Sequence, residues 1–212
     1  MAERAARTFL ITGGVRSGKS WYAEQLAASF GRPVTYLATG PRPGPDDPEW
    51  AARVADHRAR RPATWTTVET LDLAPVLTAA TGPVLIDCLG TWVTAVIDEL
   101  DGWDAPAAGW KPRFDDRTAA LVAAWTTTAQ PIIAVSNEVG WGVVPAYRSG
   151  RVFADLLGEV NRAIAAISDQ LVLMVAGRPM IIPPAPGVQK NQAQKNQAQK
   201  NQAQNNQARG GQ

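Results

Sequence analysis

The chain has 212 residues, 45% of them hydrophobic, and a formal net charge of +2, which allows one domain with a sizeable core and a tail. Its single cysteine, Cys88, excludes an internal disulfide and suits a reducing, cytoplasmic setting; no apolar run is long enough to span a membrane, and residues 1–7 lack the apolar stretch of a signal peptide. The positive charge belongs to the tail: Lys190, Lys195, Lys200 and Arg209 lie in an acid-free stretch, so residues 1–189 hold 17 basic groups against 19 acidic ones, a balance that argues against a nucleic-acid partner.

Residues 8–12 (TFLIT) predict a short buried strand and residues 20–30 a helix, with Ala23, Leu26, Ala27 and Phe30 on one face and Gly31 as its stop. The turn between them, Gly13-Gly14-Val15-Arg16-Ser17-Gly18-Lys19-Ser20, fits G-x-x-x-x-G-K-[ST], the phosphate-binding loop. Glycines there let successive N–H groups point inward at phosphate oxygens, and the helix N-terminus adds further donors. Lys19 would reach the β- and γ-phosphates, and the Ser20 hydroxyl would ligate Mg²⁺. The ligand class is thereby a nucleoside triphosphate.

Residues 34–38 (VTYLA) predict a second strand, followed by a Pro/Gly-rich loop over 39–47. Asp47-Pro48-Glu49 reads as a helix start: a capping Asp, proline at the first helical position and an acid in the first turn. That helix should run to about Arg60, ahead of Pro62. Residues 64–68 (TWTTV) are β-prone, 71–79 are helical, and 83–87 (PVLID) form a buried strand. Helices over 91–100 and 113–128 flank a Gly/Pro/Trp-rich loop, and 132–136 (IIAVS) is another buried strand. Phe153, Leu156, Leu157, Val160, Ile164 and Ile167 mark one face of an amphipathic helix at 151–167. Residues 171–176 (LVLMVA) are a last core strand, with an edge at 180–182. Apolar strands alternating with helices mean a mostly parallel sheet covered on both faces. With the phosphate loop, the expected fold is an α/β P-loop NTPase, RecA-like, over residues 1–183. From Lys190 the chain repeats K-N-Q-A-Q three times with alanine as its only apolar residue, and 184–212 read as a disordered low-complexity tail.

Two further features carry chemistry. Val84-Leu85-Ile86-Asp87 is an apolar strand ending in an acid, and Asp87 would join Ser20 in holding Mg²⁺. His57 is the only histidine and stands among Arg53, Arg58, Arg60 and Arg61. Such cations would attract phosphate, and a neutral imidazole beside bound phosphate is a competent nucleophile toward phosphorus. Composition alone favours a solvated basic helix with an incidental histidine.

Four blocks together resemble the bifunctional adenosylcobinamide kinase/adenosylcobinamide-phosphate guanylyltransferase family of cobalamin biosynthesis. They are TGGVRSGKS at 12–20; YLAT at 36–39 with DPEWAARVADHRARRPATWTTVE at 47–69; DCLGTWVT at 87–94; and SNEVGWGVVPAYRSGRVFADLLGEVN at 136–161, closing with VAGRPM at 175–180. The P-loop is generic, whereas H-x-x-x-R-P-x-x-W-x-T-x-E and S-N-E-V-G-x-G-[IV]-V-P are particular to the family. The resemblance implies that His57 becomes covalently guanylylated. It also implies nucleotide contacts from Gly13, Gly14, Val15, Arg16, Ser17, Gly18, Lys19 and Ser20, from Ala38, Thr39 and Gly40, from Arg58, Ala59, Arg60 and Arg61, and from Glu69 and Asp87. Glu69 could accept hydrogen bonds from the guanine N1–H and N2 amine, donors that adenine lacks. Gly90, Ala154 and Arg162 depart from the common pattern, on the corrinoid and packing side.

The implied function is phosphorylation of adenosylcobinamide with ATP or GTP, then transfer of GMP from GTP through guanylyl-His57 to adenosylcobinamide phosphate, with Mg²⁺ as cofactor. The implied partners are those two corrinoids and further copies of the chain, as a homotrimer. Ser136-Asn137-Glu138 sits just past a core strand and could shape the corrinoid side or a subunit contact. The main alternative is a P-loop kinase of another small metabolite without a histidine intermediate; a RecA-like ATPase acting on nucleic acid fits the acidic body poorly.

Overall fold

A computed structural model describes residues 6–41, 44 and 46–184, with Arg53 described by its backbone alone. Strands and helices follow as β1 (Thr8–Gly13), α1 (Lys19–Ala28), β2 (Thr35–Ala38), α2 (Pro48–Ala59), β3 (Thr66–Glu69), α3 (Leu73–Ala79), β4 (Val84–Asp87), α4 (Leu89–Glu99), α5 (Ala107–Thr127), β5 (Ile132–Val135), α6 (Arg148–Ala165), β6 (Gln170–Val175) and β7 (Arg178–Ile182). The strands form one sheet in the order β3-β2-β4-β5-β1-β6-β7. Every pairing from β3 across to β6 is parallel. β7 folds back on β6 through Ala176 and Gly177, both at positive φ, as a two-residue hairpin turn requires. This is the P-loop α/β architecture expected from the sequence. The tail expected over 184–212 lies, from residue 185 onward, outside the described residues.

The apolar strand runs conceal a period of two. Phe9 and Ile11 face one core and Leu10 the other; Leu85 and Ile133 join the first, Val84, Ile86, Ile132 and Ala134 the second. The first core is covered by α1 through Ala23 and Ala27, the second by α3, α4, α5 and α6. Burial on both faces is why these strands read as continuous hydrophobic runs. The aromatic centre is Trp92, Trp110, Phe114 and Trp125, each at most 3% exposed.

α3 starts at Leu73, two residues later than the sequence reading, and three helices start two or more residues earlier than it. α4 begins at Leu89 because Cys88 caps it: the Cys88 Sγ accepts from Thr91 N, and Thr91 Oγ1 accepts from Cys88 N. Cysteine is not among the usual capping residues, so the pattern was silent. α5 begins at Ala107 and runs through Pro112, where a proline removes one helical hydrogen bond. Trp110 packs edge-to-face on Phe114 at 6.4 Å, and this burial carries the helix across the break. α6 begins at Arg148, three residues early, where the Arg151 guanidinium donates to the carbonyls of Pro145 and Ala146 ahead of the helix. No helix among the described residues is long and apolar enough to cross a membrane.

Candidate active site

The parallel register brings the carboxyl ends of five strands into one row. Ala38 stands beside both Glu69 and Asp87, and Val135 beside both Asp87 and Ile11. Ligands of open α/β sheets bind at this edge. A cavity of about 280 Å³ opens there. One wall is Val15, Arg16, Lys19 and Ser20; the facing wall is Trp50, Val54, His57, Arg58 and Arg61; Glu69, Asp87 and Asn137 also line it. A second hollow shares Arg58, Arg61, Thr67 and Glu69 and continues to Trp65.

The P-loop is held tightly around its glycines. Gly13 has φ 149°, and a Cβ there would meet Met174 O at 2.5 Å and Ser17 Oγ at 2.9 Å, so no larger residue fits. Lys19 is 7% exposed and donates to Gly14 O at 2.6 Å. Burial holds its ammonium below the ordinary lysine value, against the raising pull of Cys88 and Asp87. Ser17 Oγ is buried with no partner among the described residues. A buried hydroxyl inside this loop is one that a phosphate oxygen would satisfy.

Asp87 is the hub. Its Oδ1 accepts from Ser20 Oγ at 3.3 Å, while Oδ2 accepts from Tyr36 OH at 2.8 Å and stands 3.3 Å from His57 Nδ1. Burial pushes the carboxyl up, but the hydrogen bond and electrostatic pull of His57, with the hydrogen bonds of Tyr36 and Ser20, outweigh it and hold Asp87 below the ordinary value. Burial and the neighbouring Asp87 push the Tyr36 phenol up, so it remains a donor. Oxygen donors from a hydroxyl and an ionised carboxylate, side by side at the start of α1, are the donor set that suits Mg²⁺. Cys88 also lines the cavity, but burial raises its thiol, which removes it as a nucleophile.

His57 comes from α2, whose start is fixed by Asp47 Oδ1 accepting from Trp50 N at 2.9 Å. Of the four arginines named around it, the Arg53 side chain lies outside the described residues, and the other three divide. Arg58 pairs with Glu69 at 2.8 Å. Arg61 lies 3.4 Å from the Tyr36 ring centroid and donates to Thr67 Oγ1 at 3.1 Å. Arg60 turns to Glu24, outside the cavity wall, with Nε at 3.1 Å and NH2 at 3.2 Å from its two oxygens. Glu24, His57 and Asp87 each bring a ligand atom within 4.8 Å of the others, but both Glu24 oxygens already accept from Arg60.

Residues 9–182 match the family model described as cobinamide kinase / cobinamide phosphate guanyltransferase. The chain is 38% identical over 176 residues to the bifunctional adenosylcobalamin biosynthesis protein CobU of Salmonella typhimurium, covering 79% of this chain and 95% of that protein. It is 41% identical over 175 residues to the protein of the same description, CobP, of Pseudomonas aeruginosa, covering 81% and 94%. Among solved structures, a prototypical ATPase from the type III secretion system of pathogenic bacteria aligns with 79% of this chain and 52% of that one, at 12% identity and a TM-score of 0.49. The chain belongs to the cobinamide kinase/cobinamide phosphate guanyltransferase family.

Most of the family positions named from sequence meet at one place. Val15, Arg16, Lys19, Ser20, Ala38, Gly40, His57, Arg58, Arg61, Glu69 and Asp87 line the one cavity. Gly13, Gly14, Ser17 and Gly18 build the loop behind it. Thr39, 1% exposed, turns into the fold instead, donating to Cys88 O at 2.7 Å. Ala59 and Arg60 fall outside the wall. The S-N-E-V block is tied beside the P-loop: Glu138 N donates to Gly13 O at 3.2 Å, and Asn161 Nδ2 donates to Asn137 O at 3.0 Å. Trp141, Val143, Val144 and Tyr147 of that block's loop are 73% exposed or more.

Sequence reasoning missed Tyr36 and Glu24. Tyr36 lay inside the quoted YLAT block without a role. Glu24 carried a usable signal, a charge beside Ala23 on the face of α1 that also holds Ala27, and a buried acid needs a partner.

Proposed function

We propose that this chain performs both family reactions at the cavity between the P-loop and α2. A phosphoryl group moves from ATP or GTP to the hydroxyl of adenosylcobinamide. GMP then moves from GTP, by way of His57, to adenosylcobinamide phosphate, giving adenosylcobinamide-GDP. The observation that carries this reading is His57 Nδ1 at 3.3 Å from Asp87 Oδ2, on the wall of the cavity that Lys19 and Ser20 also line.

With Nδ1–H directed to Asp87, the lone pair of His57 is at Nε2, the tautomer a nucleophile needs. Nε2 attacks the α-phosphorus of GTP; the N–P bond forms and the P–O bond to pyrophosphate breaks. Asp87 offsets the positive charge that develops on the imidazole. A phosphate oxygen of adenosylcobinamide phosphate then attacks the same phosphorus and the N–P bond breaks, restoring His57. Two easier steps replace one difficult one. Lys19 and the P-loop amides stabilise charge on the transferring groups in both reactions. Mg²⁺ would be held by Ser20 and Asp87 and would neutralise phosphate charge. Glu69, held by Arg58, would accept from the guanine N1–H and N2 amine. The protein is expected to act in the cytoplasm, as residues 1–183 with 184–212 dispensable. The exposed apolar residues 141–147 suit a contact between subunits of a trimer.

The test is incubation with Mg²⁺ and GTP labelled at the α-phosphate. Acid-labile, base-stable label on the denatured chain, absent from His57→Ala, is the expected result. Wild-type protein that stays unlabelled while phosphorylating a small metabolite would establish the simple kinase instead.

A further inference from the structure

The helix that carries His57 has little apolar anchorage. None of the described side chains of α2 is buried, and none belongs to either core. Polar contacts therefore set its position. Trp50 Nε1 donates to Pro41 O at 2.8 Å, His57 meets Asp87, and Arg58 meets Glu69. The last two pairs use groups assigned above to nucleotide chemistry. A further contact is that of Arg60, the residue that caps the end of α2, on Glu24 of α1.

This contact has the features that make an ion pair matter. It is two-pointed, at 3.1 and 3.2 Å, the fork geometry of strong arginine–carboxylate pairs. Glu24 is 5% exposed. Exposed pairs contribute little, but a buried carboxylate that loses its partner is left uncompensated in low dielectric. The hydrogen bonds that Arg60 donates to Glu24 are also the main reason its guanidinium holds its proton more tightly than usual. Glu24 lies one helical turn beyond Ser20 on the helix that the P-loop starts, and Arg60 lies three residues beyond His57. The pair thus joins the phosphate-binding helix directly to the end of the histidine-bearing one.

We propose that Glu24 is a positioning residue for the guanylyl transfer: its two-point pair with Arg60 holds α2 against α1 so that His57 faces the nucleotide phosphates. The proposal rests on the reading of His57 as the group that receives GMP. The groups assigned above to phosphoryl transfer, Lys19 and the P-loop amides, lie off α2, so the two activities should respond differently.

The experiment compares Glu24→Gln with wild type in the full chain. The readouts are the single-turnover rate of covalent labelling from α-labelled GTP, the rate and KM for ATP in phosphorylation of adenosylcobinamide, and amide exchange along α1 and α2. The expected result is labelling slowed about 30-fold or more at saturating GTP, with kinase rate and KM within about threefold. Exchange should rise over α2 while α1 keeps its protection. Arg60→Lys, which keeps charge but not the fork, should label faster than Arg60→Met, and the double variant Glu24→Gln/Arg60→Met should label no more slowly than the worse single. Equal losses in both activities, or wild-type labelling by Glu24→Gln, would overturn the proposal. Unchanged exchange over α2 in Glu24→Gln overturns it whatever the chemistry. If wild type takes no label while α2 still loosens in the variant, the failure belongs to the His57 reading and the clamp stands.

Discussion

Tyr36→Phe removes one oxygen atom and tests how Asp87 is held. The ring, 2% exposed, keeps its place under Arg61, so the change isolates the 2.8 Å hydrogen bond to Asp87 Oδ2. A hydrogen bond to a charged group contributes about 1.5–3 kcal/mol. Asp87 retains His57 on the same oxygen and Ser20 on the other, which places the loss at the lower end, about 1.5–2 kcal/mol. A domain of this size loses about 2–4 °C of Tm per kcal/mol, so calorimetry should record a fall of about 3–8 °C. The pH dependence adds a sign. The folded Asp87 carboxyl lies below its ordinary value, so the stability it contributes is complete above the unfolded value of about 3.9 and is lost as pH falls through the lower folded one. The wild-type and variant Tm values should therefore stay a constant distance apart from pH 8 down to about 5. A gap under 1 °C at pH 7, or one that closes between pH 7 and 5, would refute this account of Asp87.

Three other outcomes follow from the same geometry. Lys19→Met should reduce both transfers by about 100-fold or more without lowering the Tm, because the lowered value of the buried ammonium means that its charge costs stability at neutral pH; a clear fall in Tm would show that Lys19 holds the loop together. Glu69→Ala should cut the preference for GTP over ATP in covalent labelling by about 10-fold or more, the loss of hydrogen bonds to a charged acceptor, with unchanged Tm; undiminished preference would move guanine recognition elsewhere. Ending the chain after Pro186 should leave folding and both activities intact, and insoluble protein would show that the K-N-Q-A-Q stretch has a structural part.

Local features were legible in the sequence because their causes are local. The phosphate loop needs glycine at fixed offsets, and Gly13 has a backbone that other residues rarely adopt, with no room for a Cβ beside Met174 O. Asp47 caps α2 through a contact three residues away. The strands announced themselves as apolar runs because two layers of helices bury them. Where a start was misread, at Cys88 or across Pro112, the deciding contact was an unusual cap or distant aromatic packing. The family blocks named most of the cavity wall, His57, Asp87 and the P-loop among them. What those blocks do for one another belongs to the tertiary structure. Tyr36 meets Asp87 across 51 positions and Glu24 meets Arg60 across 36, distances over which no periodicity or capping rule operates. Composition and spacing thus determined which chemistries the residues allow. The parallel register, which sets Ala38 between Glu69 and Asp87, and the docking of α2 by paired charges decided that they share one site. Register and docking are set by side chains far apart in the chain, so only the folded molecule displays them.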